Sequence, residues 1–386
     1  MIDLNGRVVL VTGGTGSFGR HFARFVLDRM LPEKLIIFSR DELKQVEMQR
    51  EFVGNPAIRF FIGDVRDKSR LDRAFQGVDI VIHAAALKQV PTLEYNPIEA
   101  VKTNVIGAEN VLNAAIDQGV RKVIALSTDK AVHPVNLYGA TKLCAEKLFV
   151  AANVYSGEKG TRFSVVRYGN VLASRGSVVP LFLEQRESGK LIVTDPRMTR
   201  FWMSLDNAVE FVLTCLERMH GGEILVPKIA STRVVDIARL IAPDCELEFI
   251  GKRPGEKIHE VLITEDESEH TREFDDHYVI YPAFPPLGDI SKNGRRVKSG
   301  FRYASNQNDI RLSQEFLSDV MSLTAACPAG VGSESETPTL EAPEALIRGA
   351  DPAGAVSITG WTDSLKSASS SVSSGMSVRS FKPKYS

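Results

Sequence analysis

Cysteine is scarce in this sequence, and its four cysteines are scattered: Cys144, Cys215, Cys245 and Cys327 form no CxxC pair and no cluster with histidine. That spacing excludes a zinc ribbon or a disulfide framework, and predicts free thiols in a reducing compartment and no metal site. Charge of one sign is also missing. Lys and Arg number 47 against 48 Asp and Glu, a formal net charge of −1, so the chain as a whole presents no field for nucleic acid or an anionic membrane. Any anionic ligand must be held by local positive groups. No apolar run approaches the ~18 residues of a transmembrane helix. The opening Met1-Ile2-Asp3-Leu4-Asn5-Gly6-Arg7 leads straight into a β-rich run, unlike a signal peptide. A soluble, cytoplasmic protein is expected.

The 386 residues, 43% hydrophobic and 25% charged, suffice for a sizeable core. In the first half, short β-rich runs alternate with longer amphipathic stretches. Strands are expected at Arg7–Thr12, Lys34–Ser39, Ile58–Ile62, Asp79–His83, Lys122–Ser127 and Arg162–Arg167, with helices at Phe18–Arg29, Ala100–Gln118 and Tyr138–Val154. Strands apolar on both faces and separated by helices predict an α/β fold with a doubly wound parallel sheet, its ligands above the carboxyl ends of the strands. From about Gly169 the rhythm shortens, with helices expected at Leu205–Arg218 and Val234–Ile241 and strands near Glu223–Val226 and Glu246–Ile250. The expected division is a dinucleotide-binding domain over 1–168, to which some later segments return, a smaller C-terminal substrate lobe over 169–322 and a tail over 323–386. The tail is rich in Ser, Gly, Pro and Ala, a composition that cannot offset its ordering entropy, and disorder is expected there.

Thr12-Gly13-Gly14-Thr15-Gly16-Ser17-Phe18-Gly19 stands between the first strand and the first helix. Gly13 permits the tight turn, Gly16 lets backbone approach a pyrophosphate, and Gly19 allows close helix–strand packing, while the helix N-terminus offers free N–H groups to phosphate. Thr15, Ser17 and Phe18 complete the loop. An NAD-preferring site carries Asp or Glu at the end of the second strand. Here stand Ser39 and Arg40, with Lys44 one helical turn on, a hydroxyl and two cations suited to the 2′-phosphate of NADP. Asp64 and Val65 after the third strand are placed to cover the adenine, and Ala84, Ala85 and Ala86 after the fourth leave room for ribose and phosphate.

Tyr138 and Lys142 are spaced i, i+4 and share a helix face. A phenol with a reference pKa of about 10 must ionise near neutrality to accept a hydroxyl proton, and a neighbouring ammonium favours that. Lys142 would also hold the nicotinamide ribose. Just upstream, Thr128, Asp129 and Lys130 end the fifth strand and are expected to face the same cleft.

These motifs resemble the inverting UDP-N-acetylglucosamine 4,6-dehydratases, extended short-chain dehydrogenase/reductase enzymes with an NAD(P)-binding Rossmann fold that open bacterial pathways to pseudaminic acid. The resemblance rests on the glycine loop, Ser39-Arg40-Asp41-Glu42-Leu43-Lys44, His83-Ala84-Ala85-Ala86-Leu87-Lys88, Ser127-Thr128-Asp129-Lys130, Tyr138-Gly139-Ala140-Thr141-Lys142 and Arg167-Tyr168-Gly169-Asn170. It continues through Asp195-Pro196-Arg197-Met198-Thr199-Arg200 and Arg253-Pro254-Gly255-Glu256-Lys257, and covers roughly Gly6–Asn308. Lys130 is the diagnostic position, because retaining hexose 4,6-dehydratases carry Asp-Glu where this chain has Asp129-Lys130, and 4-epimerases usually lack the pair.

The resemblance implies a mechanism. Tyr138 takes the C4 hydroxyl proton as hydride leaves C4, a neutral Lys130 removes the C5 hydrogen, and a protonated Asp129 releases the C6 hydroxyl as water. Hydride then returns to C6, C5 is reprotonated on the opposite face, and Thr128 orients the C4 oxygen. The product would be UDP-2-acetamido-2,6-dideoxy-β-L-arabino-hex-4-ulose. Lys88, Asn170, Thr194, Arg200 and Arg253 would contact the nucleotide sugar, and the protein would be a homo-oligomer, a dimer or hexamer. A 4-epimerase, a retaining dehydratase and a catalytically silent NADP-sensing or scaffold protein are the alternatives.

Overall fold

In the computed structural model the described residues are 2–157, 160–172, 174, 176–283, 293–313, 316–320 and 322; the expected tail over 323–386 lies outside them. The first half runs β1 (Val8–Thr12), α1 (Ser17–Arg29), β2 (Lys34–Ser39), α2 (Glu42–Glu51), β3 (Ile58–Ile62), α3 (Lys68–Ala74) and β4 (Ile80–His83). It continues through α4 (Val90–Tyr95), α5 (Pro97–Val101), a π-helical turn (Lys102–Ile106), α6 (Gly107–Asp117), β5 (Lys122–Thr128), α7 (Leu137–Ser156) and β6 (Arg162–Tyr168). Every residue of β1 is buried, as are the last five of β2, which is why these strands read as unbroken apolar runs.

After β6 come β7 (Asn170–Val171), α8 (Val178–Gln185), β8 (Lys190–Val193), β9 (Thr199–Met203), α9 (Leu205–Arg218), β10 (Ile224–Pro227), β11 (Ala230–Arg233), α10 (Val234–Ile241) and β12 (Glu246–Phe249). The remaining strands are β13 (Val261–Ile263), β14 (Thr271–Glu273), β15 (His277–Ile280), β16 (Arg295–Arg296) and β17 (Tyr303–Ala304). The main sheet has ten strands in the order β16-β14-β15-β10-β6-β5-β4-β1-β2-β3. From β10 to β3 neighbouring strands pair in parallel, whereas β15 joins β10 antiparallel. The strand order reverses between β1 and β4, and at such a switch point the loops diverge and leave a crevice.

β10, β14, β15 and β16 thus extend the first sheet although they come late in the chain. A second apolar cluster, including Phe182, Leu191, Trp202, Ile237 and Ile241, forms around α8, β8, β9 and α10. Smaller sheets accompany it: β11-β9-β7, β12-β8 and β13-β17. The expected helix over Ala100–Gln118 is not continuous. It starts as α5, widens into the π turn and resumes as α6, so Asn104 is carried on a bulge.

Candidate active site

A cleft of about 570 Å3 lies above the carboxyl ends of β1, β2, β4 and β5, within the size range of cofactor pockets. Gly13, Thr15, Gly16, Ser17, Phe18 and Gly19 line one end. Gly13 has φ +65°, and a Cβ there would lie 2.7 Å from Ala85 Cα, so the loop presses directly on the segment after β4. The contact is closed by Thr12, whose Oγ1 bonds His83 Nδ1 at 2.8 Å and accepts from the Ala85 N–H at 3.3 Å. Burial drives the His83 pKa down to about 3, with a smaller push from Lys142, so the ring is neutral. Ala84, Ala85 and Ala86 then line the floor with small side chains.

At the end of β2, Ser39 and Thr15 hydroxyls bond each other at 2.8 Å. Arg40, Lys44, Asp64 and Val65 also line this end of the cleft. Arg40 is exposed and sits 3.7 Å from Asp64, while Lys44 pairs with Asp41, which also caps α2 by accepting from the Lys44 N–H at 3.0 Å. The Asp64 carboxyl lies below its usual range: desolvation works against this, but hydrogen bonds from Arg66 and the charges of Arg66 and Arg40 prevail.

Toward β5, Thr128, Lys130, Tyr138 and Lys142 converge on the same cleft. Asn136 places the tyrosine by capping α7, its Oδ1 accepting from the Gly139 N–H at 2.8 Å. Asp129 is not at the cleft wall, contrary to the sequence expectation. It lies fully buried behind it, Oδ1 accepting from Thr128 Oγ1 at 2.9 Å and from Lys130 Nζ at 2.9 Å, while Oδ2 has no partner. The expected charge states also need correction. Burial opposes the Lys130 charge, yet Asp129 and Glu260 outweigh it and raise its pKa rather than lowering it. Desolvation pushes the Tyr138 hydroxyl up to about 12, and the cation that counters this is Lys130, with a hydrogen bond to Thr128 acting the same way. Lys142 instead donates to the Leu126 carbonyl at 2.6 Å and is lowered by burial to about 8.

Lys88 and Asn170 line the cleft. Lys88 is held below its ordinary value by partial desolvation and by the Lys130 charge. The buried Asn170 Oδ1, Thr103 Oγ1 and Ser177 Oγ have no protein hydrogen-bond partner, and all three residues face the cleft, the pattern of a site built to bond a polyhydroxylated ligand. Thr194, Arg200 and Arg253 are not among the described lining residues. Thr194 donates to Met198 Sδ at 3.0 Å, and Arg253 lies exposed in the loop before Lys257. Arg200 spends its guanidinium on the carbonyls of Thr199, Ile258 and Lys257 at 2.7, 3.1 and 3.0 Å.

Sequence reasoning missed Asn104. Its amide bonds both the N–H and the carbonyl of Leu87 at 2.8 Å and donates to Thr141 Oγ1 at 3.0 Å, joining the segment before Lys88 to α7. No periodicity signals this, since the π turn that turns Asn104 inward interrupts the period.

The profile of the family described as polysaccharide biosynthesis protein matches residues 9–282, which spans the glycine loop, the Tyr138–Lys142 helix and β10 to β15. The chain belongs to that family. Among similar members, a Campylobacter jejuni protein (serotype O:23/36, strain 81-176) named UDP-N-acetylglucosamine 4,6-dehydratase (inverting) is 52% identical over 330 residues, 83% of this chain and 98% of its own length. A Rickettsia conorii protein named UDP-glucose 4-epimerase is 47% identical, across 71% of this chain and 82% of its own. The X-ray structure of Pen from Bacillus thuringiensis matches with a TM-score of 0.76 at 39% identity, covering 85% of this chain and 100% of that one. The relatives thus carry more than one named activity.

Proposed function

We propose that the protein is an inverting UDP-N-acetylglucosamine 4,6-dehydratase that uses NADP. The observation that carries this reading is the 2.9 Å hydrogen bond from Lys130 Nζ to Asp129 Oδ1 beside Tyr138. A 4-epimerase needs only the tyrosine. Water loss from C6 needs an acid and a base in addition, and this pair contains both.

The glycine loop fits a dinucleotide pyrophosphate because Gly13 and Gly16 keep its backbone clear of side chains at the N-terminus of α1. Arg40, Lys44 and the Thr15–Ser39 hydroxyls suit a 2′-phosphate, which could displace Asp64 and Asp41 as partners of the two cations. When bound, the nicotinamide supplies a hydride store, filled from sugar C4 and emptied at C6.

Tyr138, oriented by Thr128, takes the proton of the C4 hydroxyl as the phenolate, the form that the Lys130 charge and the Thr128 hydrogen bond favour against desolvation. A single proton transfer from Lys130 to Asp129 along their hydrogen bond generates a neutral amine and a carboxylic acid together. Lys130 then removes the C5 hydrogen, acidified by the C4 ketone, and the Asp129 proton reaches the departing C6 hydroxyl through the Thr128 hydroxyl, which bonds Asp129 Oδ1 at 2.9 Å and lines the cleft. The pair ends in the charge state in which it began; hydride delivery to C6 then leaves an enolate that takes a proton at C5 on the opposite face, and loss of the proton held by Tyr138 balances it, so no external base is consumed. Lys88 and Asn170 contact the nucleotide sugar. The product is UDP-2-acetamido-2,6-dideoxy-β-L-arabino-hex-4-ulose, made in the cytoplasm.

Exposed apolar side chains at Tyr95, Ile98, Val101 and Ile106, on α4, α5 and the π turn, give a homo-oligomer a surface to bury. Incubating the purified protein with UDP-N-acetylglucosamine and no reductant tests the function. Loss of one water by mass spectrometry, with NADP released on denaturation, is expected; conversion to the C4 epimer alone would overturn the dehydratase reading.

A further inference from the structure

Glu260 has no role in the steps above, yet it is a carboxylate only 3% exposed beside the catalytic pair. Its Oε1 lies 3.9 Å from Lys130 Nζ and 3.9 Å from Arg200 Nε, and its Oε2 lies 3.2 Å from Lys257 Nζ without accepting an aligned hydrogen bond. Its backbone is clamped on both sides by Ser305, which accepts from the Glu260 N–H at 2.9 Å and donates its own N–H to the Glu260 carbonyl at 2.8 Å. Lys257 in turn donates to the carbonyls of Val132 at 2.7 Å and Asp129 at 3.3 Å. A fixed, buried charge at this depth is costly and contributes little to stability against an apolar replacement. Its position therefore calls for a functional reason.

We infer that Glu260 is a positioning residue for the proposed C5 step, a second counter-ion that holds Lys130 Nζ beside Asp129 and keeps the shared proton on the lysine until substrate is in place. This gives Lys130 a partner that outlasts the proton transfer. Once Asp129 is protonated it no longer carries charge, and Glu260 is the carboxylate left to stabilise the ammonium that forms when Lys130 takes the C5 proton. The charged and titratable groups around Lys130 are Asp129 and Glu260, which favour its ammonium form, Arg200 and Lys88, which oppose it, and Tyr138 on the same wall. Removing the Glu260 charge leaves Lys130 with one carboxylate against these cations and Lys257.

The inference rests on the dehydratase reading for its catalytic meaning, so its test is read without sugar. In full-length protein labelled with 13C-lysine, the ε-methylene signal of Lys130, assigned through Lys130→Arg, gives the titration midpoint directly. Glu260→Gln should lower that midpoint by about 1–3 pH units, the effect of one opposite charge at this range. Glu260→Asp, which keeps the charge but withdraws it by a methylene, should give a smaller fall in the same direction, and decides the matter if the glutamine variant does not fold. In active enzyme the alkaline limb of the kcat profile, where the ammonium that donates to Asp129 is lost, should move down with the midpoint. An unchanged midpoint in either folded variant overturns the inference. A moved midpoint in a protein that releases no water from UDP-N-acetylglucosamine supports it and overturns the functional reading alone.

Discussion

Single side chains at the cleft set the sharpest expectations. Lys130→Ala removes the base while leaving the glycine loop untouched. Water loss should fall by at least about 100-fold, the usual contribution of a positioned acid or base, with NADP affinity unchanged. Retained dehydration, followed by product formation, would remove Lys130 from its role. Gly13→Ala acts by shape: the new Cβ would press on Ala85 Cα from a φ of +65°. A large loss of cofactor affinity is expected by titration calorimetry, together with a lower Tm. Lys142 gives a pH prediction. Its folded pKa of about 8 lies below the model-peptide value, so the unfolded chain binds more protons between that value and about 10.4, and stability rises with pH through this window. Holding the ammonium buried costs about 3 kcal/mol at neutrality by that linkage. The stability of Lys142→Met relative to wild type should therefore be greatest at pH 7 and shrink by pH 10 in urea melts. A constant difference would contradict the burial of a charged Lys142. At this scale the helical spacing was legible and the charge states were not. The sequence set Lys142 beside Tyr138 by spacing, but which cation faces the phenol depends on Leu126, whose carbonyl claims Lys142.

Among the elements, β2 and β3 have the bounds expected from sequence, because continuous apolar runs between turn residues locate buried parallel strands well. The helices Leu205–Arg218 and Val234–Ile241 were equally legible from their single apolar stripe. The π turn at Lys102–Ile106 was not, since one extra residue per turn shifts the stripe without ending it. That turn has a function in the site through Asn104, the only described side chain bonded to both Leu87 and Thr141. Asn104→Ala leaves the Leu87 N–H and carbonyl unpaired, and should cost about 1–3 kcal/mol in stability and weaken substrate binding through Lys88. A thermal melt and a KM measurement check the two parts separately. Short strands such as β7, β13 and β17 gave no readable period, being too brief for alternation to register.

Over the whole molecule, chain order and spatial order part company. A change of rhythm near Gly169 suggested a smaller second lobe with some later segments returning to the first domain; in the structure β10 pairs with β6, and β14 to β16 extend the sheet beyond it. Buried ion pairing ties the late segment down: Arg167 on β6 bonds Glu146 of α7 and Glu267 near β14, with Ser127 donating to Glu146 at 2.6 Å. Arg167→Met leaves the buried Glu146 and the half-buried Glu267 without this cation and should destabilise the fold by about 3–5 kcal/mol, read as a fall in the urea midpoint. No such long-range pair can be located in one sequence, because nothing local marks which Glu meets which Arg. Glu260 escaped notice for the same reason. It reaches Lys130 only after the chain has crossed β10 and returned.

The central claim is that Asp129 and Lys130 carry out water loss with inversion at C5, and NMR of the product formed from UDP-N-acetylglucosamine in deuterated water tests it most directly. The account predicts a 4-keto-6-deoxy sugar with deuterium at C5 and inverted C5 geometry. A C5 centre of retained configuration, or a C4 epimer with C6 still hydroxylated, would contradict it.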